Sequence, residues 1–136
     1  MAEAEQTNPH PVVKAVMLAT DLGFLAYWIL SAIGIMSVGH SPVLNDWNWS
    51  FLGLDLAAIA TGLISLALVR RRAARSNPLM LISLTLTGAA GLLALNFWTL
   101  RREFDLAWWA PNLWLLIFPI VALVILTRET RPVNPT

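Results

Sequence analysis

The sequence predicts an all-α integral membrane protein, folded as a four-helix bundle with both termini in the cytoplasm. Three observations carry this prediction: four long apolar stretches, a scarcity of charge, and an uneven distribution of the basic residues. Of the 136 residues, 57% are hydrophobic and only 12% are charged, whereas about a quarter of a typical soluble domain is charged. Each stretch matches the ~20 residues that cross the hydrocarbon core of a bilayer.

The predicted spans cover residues 15–38, 49–69, 79–100 and 106–127, inside a transmembrane domain of residues 13–128. Residues 1–12 are polar and proline-containing and are predicted to form a disordered cytoplasmic tail, with a second tail at residues 129–136. The first stretch is too long for the core of a signal peptide, so we interpret it as a retained helix.

Basic residues set the expected orientation. Lys14, four arginines in residues 70–75 and two in residues 128–131 would share one side, which is seven of the nine basic residues. Only Arg101 and Arg102 fall on the other side. Because cytoplasmic loops are enriched in Lys and Arg, the richer side is predicted to be cytoplasmic.

Two spans carry an aspartate, and a carboxylate at membrane depth requires a partner, a proton or water. In the second span, Asp55, Ala58, Gly62 and Ser65 recur at helical spacing. Small residues allow close helix approach in membranes, so Asp55 is expected to face the bundle interior.

In the first span, Asp21 is expected to be an intramembrane polar residue that shares a helix face with Trp28. Tyr27 belongs to an adjacent stripe with Thr20 and Gly23. The simplest interpretation of Asp21 is a carboxylate bonded to a hydroxyl of the bundle, with Lys14 extending nearby.

Six of the seven tryptophans fall at or near the predicted outer ends of the spans. They are either interfacial anchors or the walls of an outer pocket of the apolar kind that ligands require. Asp55 is expected to bond Asn96, Asn112 or Arg102, as a structural clamp or as a ligand or proton site. The candidate ligand-binding residues are Asp55, Asn96, Asn112, Trp49, Trp98 and Trp109.

Other chemistry has little support in the sequence. There is no cysteine, which excludes disulfides and thiolate metal sites. His10 and His40 lie on opposite predicted sides and cannot share a metal. No metal site is expected, no cofactor is indicated, and the expected partners are the lipid bilayer and a second copy or a larger membrane complex rather than nucleic acid.

Several short strings are unusual for membrane helices: TDLGF at 20–24, WNWSF at 47–51, ISLTLT at 82–87 and PNL at 111–113, with further aromatic and acidic pairs between them. Over about residues 20–119 the sequence resembles the YvaD-like family of small bacterial four-helix membrane proteins. The resemblance implies this fold and a multi-pass position in the bacterial plasma membrane, and it implies no catalytic residues.

Three functions remain open at this level. The first is a binding or permeation module for a small amphiphilic or lipophilic molecule in the outer half. The second is an accessory or structural subunit of a larger membrane complex. The third is an intramembrane enzyme on a lipid-like substrate that uses Asp21 or Asp55 as acid or base; it ranks last because no second titratable group is evident beside either aspartate.

Overall fold

The computed structural model describes residues 8–129 and is all-helical over that range. Its five helices are α1 (Pro11–Ala32), α2 (Pro42–Ser50), α3 (Leu52–Arg70), α4 (Ser76–Arg101) and α5 (Leu106–Glu129). α2 and α3 are separated only at Phe51, so together they form a single apolar segment, Pro42–Arg70. The described chain thus has four helical segments long and apolar enough to cross a membrane, which confirms the predicted fold class of a multi-pass membrane protein.

Local sequence explains where the helices begin. Pro11 occupies the first turn of α1, where a missing N–H costs nothing. The His10 side chain caps the same end by accepting from the Val12 N–H at 3.3 Å. The Asp105 carboxylate does the same for α5, accepting from the Ala107 N–H at 2.9 Å.

The largest differences from the predicted boundaries lie in the first half of the chain. The first helix begins at Pro11 and ends at Ala32 rather than covering 15–38, because Gly34 takes a left-handed turn with φ of 78°. Residues 39–48, expected to be a loop, contain most of α2, which begins at Pro42. The predicted tails fall largely on residues 1–7 and 130–136, which lie outside the described part of the chain.

The helices run up and down, with α1 packed on α3, α3 on α4, and α4 on α5. α1 and α5 are the outer members of this row and do not pack extensively on each other within residues 8–129. We call the end with the start of α1 and the 71–75 turn the near end. The end with α2 and the 102–105 turn is the far end.

The near half is a conventional apolar core. Met17, Met80 and Leu84 are at most 2% exposed there, and Val13, Ala122 and Leu126 complete the cluster. Many Leu, Ile and Val side chains point outward instead, as expected for helices that contact lipid. The far half is packed differently, since aromatic side chains and polar groups replace the aliphatic core.

Candidate functional site: an aromatic cavity in the far half

A cavity of about 470 Å³ lies in the far half of the bundle, between α1 and α5 and beneath α2. The first and last helices of the row, α1 and α5, do not pack extensively on each other. The cavity is the space left between them on one side of α3 and α4. A hydrogen bond of 3.1 Å from Trp114 Nε1 to Thr20 Oγ1 spans this gap. Trp114 is itself half exposed, at 51%, so the gap faces the surroundings of the bundle.

Aromatic rings make up much of the cavity wall. Tyr27 meets Trp28 edge-on at 5.3 Å between ring centroids, and it meets Trp108 edge-on at 6.4 Å. Edge-to-face pairs of this kind add stability beyond burial alone and fix ring orientation. The lining aromatic residues are Phe24, Tyr27, Trp28, Trp47, Phe51, Trp108 and Trp114.

A second layer of rings supports the first. Trp47 stacks on Phe97 with centroids 3.9 Å apart and rings tilted by 15°. Trp98 stacks on Trp108 at 6.2 Å and meets Trp47 edge-on at 5.5 Å. Trp98 is 3% exposed and lies behind the wall, where it holds Trp47 and Trp108 in place. The short helix α2 is therefore attached to α4 through Trp47.

Asp55 is the charged residue of this cavity and is only 4% exposed. It lies in the first turn of α3, just after the junction with α2 at Phe51. Its Oδ2 accepts a hydrogen bond of 3.0 Å from Trp28 Nε1. Its Oδ1 is buried without a hydrogen-bond partner among the described residues.

Two other polar groups of the wall are already paired. The Tyr27 hydroxyl donates to Asn48 Oδ1 at 2.5 Å, which joins α1 to α2. Asn112 Nδ2 donates to the Trp108 carbonyl of its own helix at 2.7 Å. The wall therefore combines a large aromatic area with a few oriented polar groups, as small-molecule sites do.

The sequence prediction placed Asp55 correctly on the interior face of its helix, and the buried residues of α3 include the whole predicted stripe. The predicted hydrogen-bond partner of Asp55 was wrong. Asp55 bonds Trp28 of α1, not Asn96, Asn112 or Arg102. Trp28 reaches it because Asp21, Phe24 and Trp28 follow one buried face of α1 toward α3.

Of the six predicted ligand-binding residues, Asp55 and Asn112 line the cavity, as do Tyr27 and Trp28 from the predicted intramembrane polar set. Asn96 is exposed, because it lies two residues from the inward-facing Ala94 and so points to the other side of α4.

The remaining tryptophans of that prediction are also outside the lining. Trp109 donates to the Glu103 carbonyl at 2.9 Å and packs on Phe104 near the turn. Trp49 is 38% exposed and touches Trp28 at 5.5 Å between centroids. The aromatic and amide lining residues outside the predicted site residues are Phe24, Trp47, Asn48, Phe51, Trp108 and Trp114.

Asp21 occupies a separate position nearer the middle of the bundle and does not line the cavity. It is 2% exposed, and its Oδ2 lies directly over Gly62 of α3, where any Cβ would collide with it and with Ser83 Oγ. That oxygen is also buried without a hydrogen-bond partner in residues 8–129. Lys14 does not pair with Asp21, and its ammonium group donates a hydrogen bond to Asn8 Oδ1 at 3.0 Å instead.

Among the described residues, no three His, Asp or Glu side chains come together as a protein metal site would need. Asp55 and Asp21 lie at different depths in the bundle, because Gly62, which contacts Asp21, is roughly 10 Å along α3 from Asp55.

Comparison with known proteins identifies a family but no activity. A family of unknown function, DUF5360, matches residues 13–132. The chain belongs to this family. It is 40% identical over 125 residues to the uncharacterized protein YvaD of Bacillus subtilis (strain 168), covering 88% of this chain and 94% of that protein. No solved structure matches the chain. Membership in DUF5360 confirms the resemblance noted from the sequence strings.

Proposed function

We propose that this protein binds a small amphiphilic molecule in the far-half cavity, reached from the lipid through the gap between α1 and α5. The observation that carries the proposal is the cavity itself: about 470 Å³ of space walled by aromatic rings, with a buried acceptor at Asp55. Ligand sites of drug-sized molecules have volumes of about 300–1,000 Å³ and similar walls.

The opening between the outer helices suits a molecule that is dissolved in the membrane. The hydrogen bond from Trp114 to Thr20 and the edge-on contact of Tyr27 with Trp108 cross the gap, while the interfaces of α3 with α4 and of α4 with α5 are closely packed. A molecule with an apolar body can rest its tail toward this gap and stack its rigid part on the inner rings.

Binding is better supported than permeation through a single chain. The near half is filled by Met17, Met80 and Leu84, which are nearly inaccessible. A pathway would have to cross this packed core to reach the other end of the bundle. Permeation would therefore need either a large rearrangement or a pore between several copies.

The other functions have weaker support. An intramembrane enzyme would need groups that act together, yet Asp21 lies outside the cavity that Asp55 lines. An accessory subunit would use the apolar outer faces, which lipid also covers, so those faces do not distinguish it. The proposed binding function is the same whether the protein acts alone, as a homo-oligomer or within a larger membrane complex.

We further propose a bacterial plasma membrane location with both termini cytoplasmic. The Bacillus subtilis relative supports a bacterial source, and the excess of Lys and Arg at the near end supports the orientation. In that orientation the cavity lies in the outer half of the bilayer.

The test uses two glycines that have open space around them. An added Cβ meets nothing within 4 Å at Gly23, which lines the cavity, or at Gly53, which faces outward in the first turn of α3. Gly23→Leu therefore fills the cavity without a built-in clash, and Gly53→Leu is its matched control. Purified protein in nanodiscs would be titrated with a panel of aromatic amphiphiles while tryptophan fluorescence is recorded, since four tryptophans line the cavity.

We expect saturable changes in fluorescence for the wild type and for Gly53→Leu. Gly23→Leu should lose at least ten-fold in affinity, about 1.4 kcal/mol. If no amphiphile gives a saturable response with folded protein, or if Gly23→Leu binds as well as Gly53→Leu, the cavity is not the binding site. Co-purification of a stoichiometric partner subunit under those conditions would support the accessory-subunit function instead.

A further inference from the structure

We infer that the ligand of the far-half cavity is an amphiphilic organic cation whose ammonium group sits against Asp55. This inference names the ligand class for the site described above and so rests on the proposed function. It comes from the charge balance of the cavity, from the free oxygen of Asp55, and from the kind of rings around it.

The charge of Asp55 has no counterpart in the cavity wall. No Lys, Arg or His is among the lining residues. The ion pair found in the described residues joins Arg101 to Glu103 at 2.8 Å, and both side chains are more than 40% exposed near the far-end turn. A carboxylate at membrane depth needs a partner, and here a cationic ligand can supply one.

The hydrogen bonds of Asp55 leave one of its two oxygens without a donor. Trp28 Nε1 satisfies Oδ2, whereas Oδ1 is buried and unpaired among the described residues. An ammonium N–H would give Oδ1 a charge-assisted bond, which is stronger than a neutral one. Because Oδ1 is covered by its neighbours, a small rotation of the Asp55 side chain must accompany binding.

The surrounding rings favour the same chemistry. Trp28 bonds Asp55, and Tyr27 contacts Trp28 on one side and Trp108 on the other. Trp47 lines the same cavity from α2. Cations are attracted to aromatic faces, most strongly to tryptophan, and the attraction grows when water is excluded. Rings together with one carboxylate thus select positive charge, while the apolar remainder of the cavity selects an apolar body.

The test compares two molecules of the same shape. The probes are 4-phenylbutylammonium and pentylbenzene, in which a methyl group replaces the ammonium. Binding to the full-length protein in nanodiscs is measured by equilibrium dialysis, with empty nanodiscs to correct for partition into lipid. Asp55→Asn removes the charge and keeps the size. Asp46→Asn removes an exposed charge of α2 outside the cavity lining and serves as the matched control.

We expect the wild type and Asp46→Asn to bind the cation at least ten-fold more tightly than pentylbenzene. Asp55→Asn should lose that preference and keep its affinity for pentylbenzene, which also shows that the variant is folded. Cation binding by the wild type should weaken as pH falls, because protons compete for the Asp55 carboxylate. Tyr27 is the other titratable group in the lining, and α2, α4 and α5 present no charged lining residue.

Outcomes separate the two proposals. If both probes bind equally well and Asp55→Asn changes neither, the cation assignment is wrong while the binding function stands. If neither probe nor any other amphiphile binds saturably, the proposed function itself fails. Should Asp55→Asn not fold, the cation preference of the wild type and its loss at low pH decide the question without the variant, and their absence overturns the inference.

Discussion

Gly91 of α4 lies directly against the backbone of α5, so this helix contact leaves no room for a side chain. A Cβ added there would stand 2.8 Å from the Asn112 carbonyl oxygen and the Leu116 nitrogen, and 2.9 Å from the Leu115 carbonyl carbon. All three atoms belong to the backbone of α5, so none can rotate away. Gly91→Ala would force α5 to retreat by ~0.7 Å to restore the ~3.5 Å spacing at which non-bonded atoms attract.

The change in the free energy of unfolding can be estimated from two opposing effects, and Gly88→Ala serves as the control. Overpacking of this kind costs about 1–3 kcal/mol, and replacing a helical glycine by alanine returns about 0.5–1 kcal/mol. We therefore expect Gly91→Ala to lower the free energy of unfolding by roughly 1 kcal/mol, near the middle of the ~0–2.5 kcal/mol that the two ranges give. Gly88 lies on the same side of α4, where a Cβ would meet Pro119 Cβ at an ordinary 3.6 Å. Gly88→Ala should be neutral or slightly stabilising.

Reversible unfolding in mixed micelles, followed by circular dichroism, would measure both variants. Gly91→Ala should also weaken amphiphile binding, because Asn112 and Leu115 line the cavity and would move with α5. Equal stabilities for the two alanine variants would refute the reasoning, since they would mean that α5 does not pass as close to α4 at Gly91 as the structure has it.

Three further predictions concern the cavity and the topology. Trp28→Phe should lower the free energy of unfolding by about 1–3 kcal/mol, because it removes the hydrogen-bond donor to Asp55. Trp49→Phe should lower it by less, and chemical unfolding would compare the two variants. Trp114→Phe and Thr20→Val each remove the bridge across the gap, so stopped-flow measurements should show ligand release faster by roughly three-fold, from the ~0.6 kcal/mol average of such membrane hydrogen bonds. A reporter fused to the C-terminus should be active in the cytoplasm, and activity only outside the cell would reverse the topology.

The sequence predicted those features that depend on helical periodicity alone. The stripe of Asp55, Ala58, Gly62 and Ser65 is the buried face of α3, as expected because small residues at this spacing let neighbouring helices approach closely. The shared face of Asp21 and Trp28 follows from the same geometry. Apolar length was enough to locate the four membrane-spanning segments.

The composition of the cavity wall could not be predicted in this way. Depth in the membrane suggested that Asn96 and Asn112 lie together, yet each residue turns a helix by 100°, and Asn96 points away from α5. Helix α2 has only nine residues, and it is held by the stacking of Trp47 on Phe97, a contact between distant parts of the chain. The bridge from Trp114 to Thr20 joins residues 94 positions apart.

Photo-crosslinking tests the central claim, that the far-half cavity holds an amphiphile, without changing a residue. A photoreactive aromatic ammonium would be irradiated with the protein in nanodiscs, and its adducts would be mapped by mass spectrometry. The account predicts adducts on Tyr27 and Trp114, which line the cavity, and their disappearance when excess unlabelled probe competes. Adducts confined to outward-facing residues such as Leu22 and Ile29, exposed by 51% and 54%, and insensitive to competition, would contradict it.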